Sequence, residues 1–209
     1  LETLAAILNL VEDLGQWPPG IEAVIATLIP KPKSGVRPIG MFPGIYRLWA
    51  RARRPVATNW ERRHQHAFFS VREGCAALGT VWEQAFDAEC AVNSQKSAAA
   101  VLVDMRSFFE MFQHKALKDR AKSLGFPESI TRLASAAYRT PRLIMQDGCV
   151  SPPIRAERGV IAGCGFAMTF VKIYCRDAFL RFAAKHPRVK FDAYVDDLTL
   201  SASADSDQE

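Results

Sequence analysis

Apolar side chains recur at three- and four-residue spacing near the N-terminus. Leu4, Ile7, Leu8, Val11 and Leu14 form one stripe, which predicts a helix over residues 2–14 with Gly15 as its stop. Trp17-Pro18-Pro19-Gly20 is a break. Ala23 to Ile29 is a short run rich in β-formers and reads as a strand. Lys31-Pro32-Lys33-Ser34-Gly35 reads as a turn, and Arg37-Pro38-Ile39-Gly40 as the returning strand. Residues 44–66 read as a basic helix, and a second helix is predicted at about 72–88.

The second half is patterned differently. Ala98 to Val103 is continuously apolar and ends at Asp104, a pattern expected of a strand in the buried middle of a sheet. Helices are predicted over 114–124 and 127–139, separated by Gly125-Phe126-Pro127. Leu143 to Met145 and Cys149-Val150 flank Asp147-Gly148, a strong hairpin signal. A long helix with mixed faces follows at 164–184. Val189 to Phe191 and Leu198 to Ser201 read as strands joined by a turn at Tyr194-Val195-Asp196-Asp197. Ala202 to Glu209 reads as a ragged polar tail. The order is α+β, without a regular βαβ alternation.

Composition narrows the class. Of 209 residues, 49% are hydrophobic and 23% charged, which excludes a disordered chain. No stretch approaches the roughly 18 uninterrupted apolar residues of a spanning helix, so no membrane partner is expected. There is no N-terminal signal pattern. The first residue is Leu1, not Met, so the sequence reads as a fragment or a processed piece. No internal repeat or interdomain linker stands out. Five cysteines, odd in number and without a CxxC pair, argue against a disulfide framework or structural zinc; reduced, mostly buried thiols in an intracellular protein are expected. The four histidines are scattered and read as surface groups or nucleic-acid contacts at most.

Charge is unevenly spread. The net charge is +5, yet the window from Lys31 to His66 carries nine cations and only Glu61 against them. That window is +8 and the remainder −3, which suggests a polyanion partner or an Arg-rich solvated helix face.

The candidate chemistry lies in the acids. Asp104 ends one apolar β-segment, and Asp196-Asp197 sit inside another, Phe191 to Leu200. Carboxylates between apolar flanks need a reason, because an unpaired buried charge is costly. Side by side, two such strands bring Asp104 and Asp196 within reach of the same cations. Mg²⁺ takes oxygen ligands and leaves room for water and phosphate. The alternative is a turn whose acids face solvent. A Tyr-x-Asp-Asp string arises by chance about 0.01 times in a chain of this composition.

Together these residues resemble the reverse transcriptase domain of non-LTR (LINE-type) retrotransposons and their group II intron relatives. Leu28 to Ile39 resembles the fingers motif, and Ile45 to Trp49 the helix after it. Val101 to Phe112 resembles the first palm motif with its strand-end aspartate. Asp147-Gly148, Ser151 and Gly159 to Gly163 resemble the second, and Tyr194 to Asp197 the third. The motifs run through most of the chain in the family's order.

The resemblance implies a right-hand polymerase fold, fingers plus palm, over residues 1–209. Fingers are expected mainly at about 1–97 and palm at about 98–209, cut after the catalytic turn, with C-terminal palm and thumb elements absent. It implies an RNA-directed DNA polymerase using two Mg²⁺ ions, with Mn²⁺ as a substitute. Asp104, Asp196 and Asp197 would be catalytic and metal-binding, with the Val103 carbonyl as an extra ligand. Lys31, Lys33 and Arg37 would grip the incoming dNTP, Phe109 would exclude a ribose 2′-hydroxyl, and Gly163 would admit the new base pair. Arg47, Arg51, Arg53, Arg54, Arg62 and Arg63 would line the path of RNA template and DNA primer. An intracellular, nuclear setting follows, with the oligomeric state left open.

The chain departs from the family at Ala162, where Gln is usual, at Ala167-Met168 in place of Ser-Pro, and at Glu110, where Asp is common. Three other readings share these acids. One is a decayed or domesticated copy that binds nucleic acid without synthesis. Another is an RNA-templated RNA polymerase, which Phe109 opposes. The third is a metal-dependent nuclease, which leaves Lys31 and Arg37 unexplained.

Overall fold

The computed structural model describes residues 2–21, 23–32, 35–71 and 77–205. Lys33, Cys75 and the start of the helix expected at about 72–88 lie outside them. In chain order the elements are α1 (Glu2–Leu14), β1 (Val24–Pro30), β2 (Val36–Met41), α2 (Gly44–Arg63), α3 (Ala77–Asn93), β3 (Ser97–Asp104), α4 (His114–Ser123), α5 (Glu128–Tyr138), β4 (Arg142–Gln146), β5 (Cys149–Val150), α6 (Ala167–Lys185), β6 (Lys190–Tyr194) and β7 (Asp197–Ala204). The expected α+β order holds. The tail is shorter than expected, since β7 runs on to Ala204. The chain forms two compact units, each from two stretches: Leu1–Arg63 with Phe109–Tyr174, and His64–Phe108 with Cys175–Glu209.

The first unit holds a four-stranded sheet in the order β2-β1-β4-β5. β1 pairs antiparallel with β2 and parallel with β4. Positive φ at both Asp147 and Gly148 gives the β4–β5 hairpin the type I′ form that suits strand twist. Despite its arginines, α2 is amphipathic. Tyr46, Trp49, Ala50, Ala57 and Trp60 are buried on one face. Their rings meet Phe42, Trp17, Phe126 and Phe166 edge-on, tilted or stacked. The indole donors are satisfied: Trp17 donates to the Leu133 carbonyl, Trp60 to that of Leu124 and Trp49 to the Glu12 carboxylate. Tyr46 shares a hydrogen bond with the Cys164 thiol at 3.0 Å. Burial pushes that thiol up, so it stays protonated and inert.

The second unit holds the sheet β3-β7-β6. One face carries Phe191 and Ala193 of β6 with Leu198 and Leu200 of β7, and packs on Phe68, Phe69, Phe179 and Phe182. The other face meets α3 across a cleft of about 780 Å³. Two expectations change here. β3 is not a buried central strand: among the described residues it pairs only with β7, and all its residues are exposed, Leu102 at 78%. An apolar run records that a segment suits a sheet, not how many neighbours it has, and the alanines leave β3 few atoms to bury. Nor are the thiols mostly buried: of the four described, Cys90 and Cys149 are exposed.

Candidate functional site

β3 and β7 run antiparallel, and their register sets Asp104 directly opposite Asp197. Residues opposed in this way project from the same face of a sheet. β6 and β7 are joined by the two-residue turn Val195-Asp196, closed by the Tyr194–Asp197 pair. Val195 has φ +60°, whereas Asp196 does not have positive φ. That is the pattern of a type II′ turn, whose first position favours glycine. A β-branched residue there is strained. The Met105 amide donates to the Asp196 carbonyl at 3.2 Å, tying the chain after β3 to the turn. Asp104, Asp196 and Asp197 therefore share one end of the sheet. Asp104 and Asp197 are exposed and Asp196 is half-buried.

Among the described residues no three His, Cys, Asp or Glu side chains gather into a metal-holding group. Two carboxylates side by side still fit a hard cation, because Mg²⁺ commonly takes one or two protein carboxylates and keeps its other positions for water and phosphate. Like charges directly opposed across strands destabilise a sheet, and a divalent cation would relieve that repulsion. Val103, next to Asp104, pairs with Leu198.

In the first unit, Phe109 sits half-buried on a short 3-10 turn, Phe108–Met111. Its carbonyl accepts from Val160 at 2.7 Å, and the Phe112 carbonyl accepts from Gly159 at 2.7 Å. A bridge from Gln113 to Arg158 extends this ribbon. Gly159 has φ +99°, and a Cβ there would stand 3.2 Å from the Glu110 Cα. Below it His114, expected at the surface, is buried at 8% exposure. Its Nε2–H donates to the Gly159 carbonyl at 2.8 Å, and the ring stacks on Tyr138. Burial holds the imidazole below its ordinary range, and Arg142, Arg139 and Lys118 add to this against the pull of the Gly159 carbonyl.

The sign of that shift makes a prediction. The unfolded chain binds a proton on His114 at a pH where the folded chain does not, so stability rises with pH. The contribution is complete above about 6.5 and is lost as pH falls toward the depressed folded value. His114→Gln keeps a donor for Gly159 and should flatten this part of the profile. Thermal melts of both proteins between pH 7.5 and 5 check it; parallel curves would remove His114 from the account.

Lys31 and Arg37 are exposed on the β1–β2 hairpin, where the Lys31 amide donates to the Gly35 carbonyl and Arg37 pairs with Ile29. Gly163 has φ +104°, and a Cβ there would lie 2.7 Å from the Gly40 carbonyl oxygen. The Gly40 amide donates to the Ala162 carbonyl at 3.3 Å. The turn carrying Gly163 is thereby laid against β2, the strand that carries Arg37.

The six arginines of α2 divide. Arg47, Arg51, Arg62 and Arg63 are exposed. Arg53 makes a forked pair with Glu12 at 2.6 and 2.7 Å. Burial pushes Glu12 up, but hydrogen bonds from Arg53 and Trp49 outweigh it and hold the carboxyl below its usual range. Arg54 donates to the Gly165 carbonyl and the Thr169 hydroxyl. Arg53 and Arg54 thus fasten α2 to its neighbours, a role that charge counting misses because their partners lie far off in sequence. The role of His114 is hidden from the sequence for the same reason: its acceptor is 45 residues away.

Strand-end acids beside a two-residue acidic turn define a candidate phosphoryl-transfer centre. The family model for reverse transcriptase (RNA-dependent DNA polymerase) matches residues 29–209. The chain belongs to the reverse transcriptase family. Its fold is that of the fingers and palm region, as solved structures also indicate. An apo telomerase from Candida tropicalis truncated from its C-terminal domain is 14% identical with a TM-score of 0.62, covering 97% of this chain and 48% of that one. The C. tropicalis telomerase in complex with a TWJ fragment of telomeric RNA is 13% identical with a TM-score of 0.62, covering 97% and 40%. The Candida albicans telomerase with the same kind of fragment is 12% identical with a TM-score of 0.61, covering 95% and 42%. The chain spans less than half the length of these proteins. No curated protein matches it.

Proposed function

We propose that the chain carries out RNA-templated DNA synthesis for a retroelement of the non-LTR or group II intron type, joining dNTPs to a primer 3′-hydroxyl. The observation that carries this reading is the Asp104–Asp197 pair, fastened to the acidic turn by the Met105 amide. Family membership supports nucleotidyl transfer as the chemistry. The telomeric RNA in the telomerase complexes supports RNA as a partner.

In this reading Asp104, Asp196 and Asp197, with the Val103 carbonyl, would hold two Mg²⁺ ions, or Mn²⁺ in their place. Such ions would supply activation of an attacking oxygen and stabilisation of a leaving one. The protein contributes position. The β6–β7 hairpin keeps the acids together at the sheet end. Lys31 and Lys33 as point charges and Arg37 as a fork hold the triphosphate. Phe109, held through its carbonyl by Val160, presents its ring to the sugar. Gly163 admits the nascent base pair. Arg47, Arg51, Arg62 and Arg63 offer exposed charge to the nucleic-acid backbone, flanked by Arg53 and Arg54.

The test is primer extension on an RNA template with Mg²⁺ and dNTPs, with Asp196→Asn as control. Incorporation that vanishes in the control supports the reading. A folded, RNA-binding chain that incorporates nothing overturns it. Phe109→Ala should raise ribonucleotide incorporation relative to deoxynucleotide by about tenfold or more, because a pocket rejects an extra group by shape at a cost of about 1–3 kcal/mol. Unchanged selectivity in the same assay would return Phe109 to packing.

A further inference from the structure

Three cations of the first unit bear on His114. Lys118 lies one turn along α4 from His114, Arg139 follows the end of α5 and Arg142 opens β4. Only Thr140-Pro141 separates the two arginines. All three act on the His114 ring. Burial, and then Arg139, hold the Lys118 ammonium below its ordinary range. Among the described residues, Glu110 is the carboxylate that bears on Arg142. Among the described residues, no salt bridge joins any of the three to an acid. The Nε and Nη2 of Arg142 are shielded from solvent and find no acceptor among the described residues.

Like charges held together and partly buried weaken a free protein, through both repulsion and desolvation. An anion that binds only the folded state reverses that cost. Arg139 remains exposed, so the cluster is open to such a ligand. We infer that Lys118, Arg139 and Arg142 form a phosphate-binding site, occupied by the backbone of a nucleic-acid strand. The Lys118 point charge and the exposed Arg139 fork suit phosphate oxygens, and Arg142, its Nε and Nη2 shielded, adds its charge. A strand, with its repeated phosphates, can engage several of these cations at once. The site is separate in sequence from the α2 arginines and from the triphosphate residues. The inference rests on the reading of nucleic acid as partner.

The experiment is fluorescence anisotropy of a labelled single-stranded oligoribonucleotide on the whole chain across a salt series, with a thermal melt of each protein. Lys118→Ala/Arg139→Gln should weaken binding about tenfold at low salt. It should also flatten the slope of log affinity against log salt by about 1.4, roughly 0.7 for each lost phosphate contact. Its melt should hold or rise, since repulsion is removed. An unchanged slope overturns the site. So does weaker binding with a lowered melt, which would make these cations part of the fold. Inorganic pyrophosphate is the second probe: if it raises the melt of the parent but not of the variant while the RNA slope stays the same, the site takes free phosphate and the strand is ruled out. Arg47→Gln/Arg51→Gln separates the two readings. Loss of slope there but not in the cluster variant overturns only this inference, whereas a parent chain that binds no RNA overturns both.

Discussion

Asp104→Asn or Asp196→Asn should lower incorporation by more than about a hundredfold while the fold stays intact, because in the proposed reading the acids serve charge stabilisation and not packing. Asparagine keeps the shape of aspartate and removes the charge that attracts a hard cation. At position 104 it also ends the like-charge opposition with Asp197. Opposed pairs of this kind are worth about 0.2–1 kcal/mol, so the Asp104→Asn melt should hold or rise slightly. Primer extension and a circular dichroism melt on the same preparations check both halves. Appreciable residual synthesis would remove these residues from the metal assignment. A fall in melt that tracks the fall in activity would make them structural.

Gly163→Ala should have the largest effect on stability, a loss of about 3 kcal/mol, since a strained φ and a steric clash coincide there. At φ +104° an alanine is strained whatever the space around it. Its Cβ would also meet the Gly40 carbonyl oxygen at 2.7 Å, and that oxygen belongs to a paired strand. Urea unfolding measures the loss. Gly125→Ala is the comparison: its φ is also positive, but nothing lies within 4 Å of the added carbon, so its cost should be strain alone. Equal losses at both positions would mean that the approach of β2 to the Gly163 turn contributes nothing.

Local pattern made most elements legible. The spacing of Leu4 to Leu14, the Asp-Gly turn and the acidic turn at Tyr194 all depend on neighbours a few residues away, and each element lies where it was expected. The acids were legible too, because strand-end placement is itself local. What could not be read depends on distant partners. The Ala-rich run before Asp104 says nothing of which edges a sheet leaves open, so its pattern alone reads as a central strand. Arg53 and Arg54 look like four other arginines until Glu12, Gly165 and Thr169 are found beside them. His114 gives no sign in its own segment that Gly159 needs its proton.

The interleaving of the two units bears on how the chain reaches this state. Each unit is assembled from stretches that the other unit interrupts. β1 waits for β4, from Val24 to Arg142, and β3 waits for β7, from Ser97 to Ala204. Closing loops of that length is entropically costly and slows folding relative to local hairpins. On a ribosome, the hairpin of β1 and β2 forms early but stays an isolated ribbon until more than a hundred further residues have emerged. Asp104 is synthesised long before Asp197 and meets it only when nearly all of this sequence is in place. The pairing of the candidate acids is thus among the last contacts to form. Nascent chains halted before β7 would carry β1, β2 and β3 and still lack the partner of Asp104.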